Sequence, residues 1–474
     1  MTKEEALKTY FGYDAFRGGQ EAVIDALLSG RDALAIMPTG AGKSVCYQIP
    51  ALLLPGITLV ISPLVSLMRD QVTALVQMGV PAAFLNSSLT FRQYLLALDR
   101  ARAGRYKIIY AAPERLETEG FRSFAQAADI SLIAVDEAHC ISQWGQDFRP
   151  SYLNISAFAA SLPRRPVMGA FTATATPEVK EDIQRLLALR DPLRAATGFN
   201  RENLFFEVRQ PGDKKAALLE LVKGRPGKCG IVYCSTRKAV EEVCQFLRDQ
   251  GIPAARYHAG LEAEERRRSQ EDFLYDRAAV MVATNAFGMG IDKSDVRYVI
   301  HYNMPKDMES YYQEAGRAGR DGLPSTCVLL YSGQDVRTGE YLITHGEARE
   351  GMDGAAAERL RERDLQRLRQ MTGFCRTRRC LRQYILEYFG ESAPDYCGTC
   401  CNCLHNFKEV EVGREAQAIV RCVAETGQHF GAGVIAETLC GADTDRVRKY
   451  HMERENHYGA LAELTQKAVQ ERIR

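Results

Sequence analysis

Apolar runs bounded by turn or polar residues recur along the chain. Five of them lie between residues 1 and 198: DALAIMP, GITLVISP, YKIIYAAP, SLIAVDEA and PVMGAFTAT. A second series follows, with KCGIVYCST, PAARYHAG, AAVMVATNA, VRYVIHYN and STCVLLYS. Strands that alternate with helices are typical of a mostly parallel sheet covered by helices. The pattern therefore predicts two α/β lobes, lobe 1 over residues 1–198 and lobe 2 over residues 199–335, joined near ATGFNRENLFFEV.

Beyond residue 336 the pattern changes to helical periodicity rich in Arg and Glu, as in AAAERLRERDLQRLRQMTGF. A cluster of cysteines follows, and after it a last helical segment begins. We therefore expect a helical cysteine subdomain over residues 336–408 and a further domain over residues 409–474.

Composition and charge narrow the class of protein only slightly. The 474 residues suffice for about three domains, and an apolar content of 46% can furnish their cores. No apolar run approaches a bilayer span, and MTKEEALKTY lacks the layout of a signal peptide. The formal net charge is +1, so local basic clusters would have to hold any polyanionic partner. These features predict a cytoplasmic protein and neither favour nor exclude nucleic acid.

The segment ALAIMPTGAGKSVCYQ predicts a phosphate-binding loop between a strand and a helix. Backbone N–H groups at the start of a helix can hold phosphate there. Lys43 would reach the β- and γ-phosphates, Ser44 would bind Mg²⁺, and Gly40 and Gly42 would permit close backbone approach. The strict consensus has glycine where this chain has Met37. The alternative is a chance GKS sequence in a surface loop.

The segment SLIAVDEAH places adjacent carboxylates at the end of an apolar strand. Asp136 can bind Mg²⁺, and Glu137 can orient and deprotonate an attacking water. The alternative for such a pair is a helix cap. Together with the phosphate loop, the pair predicts hydrolysis of a nucleoside triphosphate.

The segment SYYQEAGRAGRDG offers cations that can neutralise charge in the transition state. Arg317 and Arg320 lie in lobe 2 with small residues between them, so they can point into a cleft between the lobes. A solvated basic helix end is the alternative. Gly316 and Gly319 weaken it, because glycine is costly in an ordinary surface helix.

Fourteen cysteines are present, and the spacing C-x16-C-x2-C-x2-C matches a tetrahedral metal site with four thiolates. We expect reduced thiols and one metal, with an iron–sulfur cluster as the alternative to a single ion. Cys375, Cys401 and His405 are competing ligands. The predicted ligands are Cys380, Cys397, Cys400 and Cys403.

The order of these motifs resembles the RecQ family of superfamily 2 DNA helicases. The resemblance rests on FRGGQ, MPTGAGKS, VISPLVSLMRDQV, AAPERL, DEAHCISQWGQDFRPSY, FTATAT, VATNAFGMGIDK and YYQEAGRAGRDG, and it covers nearly the whole chain. It implies two tandem RecA-like lobes, a structural zinc on the four cysteines, and ATP and Mg²⁺ as cofactors. It also implies ATP-driven translocation from 3′ to 5′ on single-stranded DNA, duplex unwinding, and roles in repair and recombination.

The resemblance assigns further residues by position. Tyr13, Arg17 and Gln20 are similar to an adenine-reading group, and Asp292 joins the two arginines of lobe 2, of which Arg320 is the sharper candidate for hydrolysis. His139, Thr172 and Thr174 are similar to residues that link hydrolysis to the grip on DNA. The predicted nucleotide contacts are Tyr13, Arg17, Gln20, Thr39, Gly40, Gly42, Lys43, Ser44 and Asp292.

The only tryptophan of the chain lies in the loop after the acidic motif. By resemblance, Trp144, Phe148 and Arg149 contact single-stranded DNA, since bases stack on aromatic faces and arginine adds a phosphate or cation–π contact. Because Glu137 is close in sequence, arriving DNA can reposition it. The alternative is that Trp144 fills a core at the lobe interface.

Residues 409–474 resemble the start of a winged-helix domain, and we expect it to be partial, because AVQERIR ends inside a predicted helix. The resemblance implies single-stranded and duplex or forked DNA as substrates, association with the nucleoid, and no membrane. An RNA helicase is an alternative, because the letters DEAH occur there too. A zinc-stabilised scaffold with an idle motor is another.

Overall fold

The computed structural model describes residues 1–145, 147–288, 293–345, 354–405 and 411–473, without the side chains at positions 66 and 356. The chain forms two units, Met1–His405 and Asn406–Arg474. Within the described ranges, no helix combines the length and the apolar character that crossing a bilayer requires.

Lobe 1 is built on a parallel sheet with the strand order β3-β4-β2-β5-β6-β1-β7. Strands β1 and β2 are buried along their whole length, as their continuous apolar runs predicted. The sequence pattern missed β3 and β7, which form the two edges of the sheet. The strands are β1 Ala33–Ile36, β2 Ile57–Ile61, β3 Ala82–Leu85, β4 Ile108–Ala111, β5 Ile130–Val135, β6 Val167–Thr172 and β7 Leu193–Ala196.

Helices cover both faces of this sheet, and short 3₁₀ turns follow β4 and β5. The helices are α1 Lys3–Ala6, α2 Gln20–Leu28, α3 Lys43–Leu53, α4 Val65–Gln77, α5 Phe91–Arg102, α6 Glu119–Ala127, α7 Asn154–Ser161 and α8 Pro177–Leu186, with a π-helix at Leu7–Phe11 and 3₁₀ turns at Pro113–Glu117, Ala138–Ile141 and Pro150–Leu153. The phosphate loop, the acidic pair and the FTATAT motif follow β1, β5 and β6. Because parallel strands end at one edge of a sheet, these three motifs meet there.

Lobe 2 repeats this architecture with the parallel order β10-β11-β9-β12-β13-β8. Its first strand begins within the segment predicted as the junction, so the chain enters lobe 2 through an edge strand. The elements are β8 Leu204–Arg209, α9 Lys214–Lys223, β9 Gly230–Tyr233, α10 Arg237–Asp249, β10 Ala254–Tyr257, α11 Ala263–Leu274, β11 Val280–Ala283, β12 Tyr298–His301, α12 Met308–Ala315 and β13 Ser325–Leu330.

The cysteine subdomain packs against lobe 2 and the junction. Phe389 stacks on Phe199 with ring centroids 4.2 Å apart. The buried guanidinium of Arg382 donates to the carbonyls of Arg201 and Leu204, at 2.6 and 2.7 Å. These contacts make the subdomain part of the larger unit. Its helices are α13 Gly333–His345, α14 Gly354–Arg376, α15 Leu381–Tyr388 and α16 Cys401–Leu404.

The C-terminal unit is helical and has its own apolar core, which includes Ile419, Ile435 and Leu439. A helix over AVQERIR was predicted, and the last helix covers that segment as far as Ile473. The elements are α17 Gly413–Glu425, α18 Ala432–Leu439, α19 Asp445–Lys449, a 3₁₀ turn at Met452–Arg454 and α20 Gln466–Ile473.

Candidate functional site

The phosphate loop joins β1 to α3, and Lys43 is the first residue of that helix. Gly40 and Gly42 have φ angles of 87° and 79°, a region that favours glycine. A Cβ atom on Gly42 would lie 2.5 Å from the side-chain nitrogen of Gln20. Met37 is fully buried beneath the loop, and its sulfur lies 3.7 Å from that of Cys46. The methionine that replaces the consensus glycine therefore packs in the core of lobe 1.

Two of the three residues predicted to read adenine hold the phosphate loop directly. The Gln20 side chain accepts the backbone N–H of Arg17 at 2.8 Å and donates to the carbonyls of Ala41 and Gly42 at 3.0 and 3.1 Å. The Arg17 guanidinium donates to the carbonyl of Gly40 at 2.7 Å. Tyr13 is half exposed, with its ring 5.9 Å from that guanidinium. Arg17 and Gln20 thus connect this group to the phosphate loop.

The acidic pair lies at the carboxyl end of β5. Burial and the neighbouring Glu137 carboxylate raise the pKa of Asp136 to about 7, although the positive charge of Lys43 acts to lower it. A divalent cation at this carboxylate would favour its charged form. Glu137 has a φ of 47°, which is unusual for a residue other than glycine.

Sequence reasoning missed Tyr152, although the residue lies in the quoted motif. Its hydroxyl donates to the carbonyl of Asp136 at 2.9 Å, and the side chain is fully buried. Tyr152 therefore stabilises the turn that carries the acidic pair.

The three predicted coupling residues connect the ends of β5 and β6. The Nδ1 atom of His139 lies 2.8 Å from the Thr172 hydroxyl and 3.3 Å from a carboxylate oxygen of Glu137. Thr172 donates in turn to the carbonyl of Thr174 at 3.0 Å. Burial lowers the pKa of His139, which keeps the imidazole neutral near pH 7. His139 therefore contacts both Glu137 and Thr172.

Both arginines of lobe 2 reach the same cavity as the motifs of lobe 1. This cavity of about 510 Å³ is lined by Lys43, Asp136, Glu137, Arg317 and Arg320, and also by Thr39, Gly40, Gly42 and Ser44. The buried Arg317 guanidinium donates to the carbonyl of Gly288. The Arg320 side chain packs on the phosphate loop, since a Cβ atom on Gly40 would lie 3.1 Å from its Cγ atom. Asp292 lies outside the described residues.

Arg201, in the junction between the lobes, was not predicted. Its guanidinium donates to the carbonyl of Thr39 at 3.1 Å and to those of Gly316, Ala318 and Gly319 at 3.3, 3.1 and 2.8 Å. It therefore ties the phosphate loop of lobe 1 to the arginine-bearing turn of lobe 2. No spacing in the sequence indicates such a contact.

The aromatic loop, which we define as residues 142–149, presents its tryptophan to solvent. Trp144 is 54% exposed, so the alternative that it fills a core is wrong. Phe148 and Arg149 are half-buried, and Arg149 donates to the carbonyl of Pro63 at 3.0 Å and pairs with Asp147 at 3.3 Å. Position 146 is not among the described residues. The loop thus offers an aromatic face beside a cation.

The sulfur atoms of Cys380, Cys397, Cys400 and Cys403 lie within 4.8 Å of one another. Backbone N–H groups of Thr399 and Cys403 donate to the sulfurs of Cys397 and Cys400, both at 3.4 Å. Burial opposes ionisation of Cys397, but hydrogen bonds from the backbone and side chain of Thr399, and from the side chains of Cys380 and Arg382, lower its pKa to about 6. The set fits a zinc ion held by four thiolates. Among the described residues, Cys375, Cys401 and His405 do not belong to this group.

Comparisons with known families match most of the chain. The matched families are described as DEAD/DEAH box helicase over residues 17–183, helicase conserved C-terminal domain over 213–322, RecQ zinc-binding over 333–404 and RQC domain over 406–474.

Curated relatives are similar over nearly the whole chain. The ATP-dependent DNA helicase RecQ of Bacillus subtilis (strain 168) is 46% identical over 97% of this chain and 76% of the relative. The protein of the same name from Haemophilus influenzae is 41% identical over 96% of this chain and 71% of the relative.

Solved structures show the same fold at low identity. The S. cerevisiae Dbp5 bound to RNA and ADP BeF3 has a TM-score of 0.59 and 18% identity, over 77% of this chain and 97% of that one. The DUF1998 helicase MrfA bound to DNA has a TM-score of 0.60 and 18% identity, over 83% and 59% of the two chains. These likenesses support the arrangement of two parallel-sheet lobes.

Proposed function

Because the chain belongs to the RecQ family of ATP-dependent DNA helicases, we propose that the cavity between its lobes hydrolyses ATP and thereby drives the chain along DNA. The chain is an ATP-dependent DNA helicase that uses ATP, Mg²⁺ and Zn²⁺. The lining of this cavity supports the residue assignments. Lys43 and the acidic pair of lobe 1 line it together with Arg320 of lobe 2.

Each residue of the cavity has a proposed part in hydrolysis. The Lys43 ammonium binds the β- and γ-phosphates, and the backbone of the glycine loop follows them closely. Ser44 and Asp136 are oxygen ligands that would hold Mg²⁺, which when bound neutralises phosphate charge. Glu137 orients the attacking water and takes its proton. Arg320 contributes positive charge beside the transferred phosphoryl group.

The path from DNA to Glu137 runs through the aromatic loop. Bases stack on Trp144, and the movement reaches Glu137 through His139, whose ring also contacts Thr172. ATP closes the lobes and hydrolysis opens them, and different grips on the strand in the two states move it. Translocation from 3′ to 5′, as in the family, unwinds the duplex ahead.

The helicase acts on forked or duplex DNA with a single-stranded tail, in association with the nucleoid, during repair and recombination. Partners that bind single-stranded DNA or take part in repair would recruit it. Since contacts to phosphate dominate affinity, binding of DNA should fall steeply with salt whatever the structure of the substrate.

Trp144→Ala is expected to separate DNA binding from stimulation of the ATPase. Loss of one stacking contact should weaken the affinity for single-stranded DNA by about tenfold. At saturating DNA the variant should hydrolyse ATP at its DNA-free rate, because the strand no longer moves the aromatic loop. Steady-state ATPase with and without single-stranded DNA, together with a binding titration, measures both effects.

Tyr275→Ala is the matched control, since this aromatic residue of lobe 2 is also largely exposed. It should be stimulated like the intact chain. Equal stimulation of the Trp144 variant would remove the loop from the proposed path. If RNA strands stimulated the intact chain as strongly as DNA strands, the RNA helicase alternative would replace the DNA-specific proposal.

Gln20→Ala is expected to reduce the preference for adenine. The Gln20 side chain accepts the N–H of Arg17 and donates to the phosphate loop. Its loss also removes a hydrogen-bonding amide from the proposed adenine site. We expect kcat/KM for ATP to fall by at least about tenfold and that for GTP to fall less, because the lost contacts with the phosphate loop affect both nucleotides. Steady-state kinetics with both nucleotides would show this. Gln77→Ala, on an exposed surface, should leave both values unchanged, and an equal loss for ATP and GTP would contradict base reading.

A further inference from the structure

Arg367, on α14 of the cysteine subdomain, reaches the aromatic loop of lobe 1. Its guanidinium donates to the carbonyl of Trp144 and, at 3.3 Å, to that of Gly145. Ser142 anchors the start of the same loop within lobe 1, since its hydroxyl donates to Asp182 at 2.7 Å and accepts the N–H of Trp144 at 3.0 Å. The backbone at Trp144 is therefore held from two sides while its indole remains exposed.

Arg367 is buried at a position where an unpaired guanidinium would be unfavourable. The residue is 9% exposed, and its charge faces Glu309 of α12 in lobe 2 at 3.6 Å. Burial and the nearby Asp307 raise the pKa of Glu309, and Arg367 opposes that rise. A buried guanidinium is tolerated when its planar donors are satisfied, here by two adjacent carbonyls and a carboxylate. One side chain thus joins lobe 1, lobe 2 and the cysteine subdomain.

Gly145 packs against the segment that carries Glu137. A Cβ atom there would lie 2.2 Å from the backbone oxygen of His139, so no other residue fits without moving the chain. His139 in turn approaches Glu137 at 3.3 Å. The carbonyl that Arg367 binds therefore belongs to a residue packed directly on the segment that positions Glu137.

We propose that Arg367 is a positioning residue that holds the aromatic loop in its DNA-free position and must release it when DNA binds. The inference rests on the proposed function and deepens it, because it names the contact that the strand has to break. The exposed indole lets a base stack before the carbonyls are released. Movement of the loop then changes the position of His139 and Glu137 and, through Glu309, the contact with lobe 2.

The single tryptophan makes the test direct, because its fluorescence, excited at a wavelength that tyrosine does not absorb, reports on the aromatic loop. In Arg367→Gln without DNA, we expect a lower steady-state anisotropy of Trp144 than in the intact chain. DNA-free ATPase should rise by about three- to tenfold, the size expected for loss of one coupling contact. The maximal rate at saturating single-stranded DNA should stay the same, so the stimulation ratio falls by the same factor.

Arg369→Gln is the matched control, since this arginine lies on the exposed face of the same helix. It should match the intact chain in both readouts. Arg367→Lys keeps the charge beside Glu309, but an ammonium lacks the planar fork that binds two adjacent carbonyls. It should therefore resemble Arg367→Gln, and it decides the question if that variant loses its zinc or fails to fold.

An anisotropy and a DNA-free rate equal to those of the intact chain in both Arg367 variants would overturn the proposal. A freed loop with an unchanged DNA-free rate would overturn it as well, because the contact would then not restrain hydrolysis. Failure of the proposed function is distinguishable, since the intact chain itself would then show no stimulation by DNA.

Discussion

Arg320→Ala is expected to lower ATP turnover by about a thousandfold or more, since a cation at the transferred phosphate is worth that much in enzymes of this kind. In the structure, the Arg320 side chain packs on Gly40 of the phosphate loop and lines the cavity that contains Lys43 and the acidic pair. The affinity for ATP should change far less, because the glycine loop and Lys43 remain. The loss should therefore appear in kcat, measured with and without single-stranded DNA.

Two control variants test whether the effect depends on the guanidinium of Arg320 and on its position in the cavity. Arg320→Lys should stay close to the alanine variant, because an ammonium cannot reproduce the planar donors of the guanidinium. Arg268→Ala, on the exposed side of α11, should leave turnover unchanged. If Arg320→Ala kept a kcat within about threefold of the intact chain, far less than such a cation contributes, the assignment would pass to Arg317. The Arg317 side chain lines the same cavity.

The motifs at the ends of β1, β5 and β6 could be predicted from the sequence because each follows a continuous apolar run. A parallel sheet brings such ends to one edge, so the spacing of Lys43, Asp136 and Thr172 along the chain indicates their proximity. The four cysteines could be predicted for a similar reason, since their short spacing leaves a tetrahedral site as the simplest geometry. The first prediction rests on local pattern plus one rule of topology, and the second rests on spacing alone.

The elements that the pattern missed are those with weak burial. The edge strands β3 and β7 are four residues long, and partly exposed positions interrupt their apolar runs. They are strands because a neighbouring strand pairs with them, which no local pattern records. β8 was hidden within the junction segment for the same reason.

Arg201, Arg367 and Tyr152 escaped prediction for a different reason. Each acts by one side chain that donates to backbone carbonyls distant in sequence. A carbonyl belongs to every residue, so its partner carries no recognisable residue type or spacing. Contacts of this kind connect the lobes and the cysteine subdomain, and only the three-dimensional arrangement reveals them.

Cys400→Ser is expected to remove the zinc ion and to unfold the cysteine subdomain around it. Binding of zinc to four thiolates contributes on the order of 10 kcal/mol to folding, more than a small helical segment gains from its own core. Cys400 is fully buried, begins α16 as its N-cap and pairs with Phe206 of β8. Its loss should therefore disturb the contact with lobe 2 as well. Zinc content by atomic spectroscopy and thermal unfolding by circular dichroism measure the two effects.

Cys401→Ser is the matched control. The thiol of Cys401 contacts the side chain of Asn402 and lies outside the group of four. This variant should retain one zinc per chain and unfold like the intact protein. A Cys400 variant that kept its zinc would require a different fourth ligand. Iron with visible absorption in the purified protein would instead favour a cluster. Since the cysteine subdomain carries Arg367, removal of zinc should also lower the anisotropy of Trp144, which links the metal to the aromatic loop through α14.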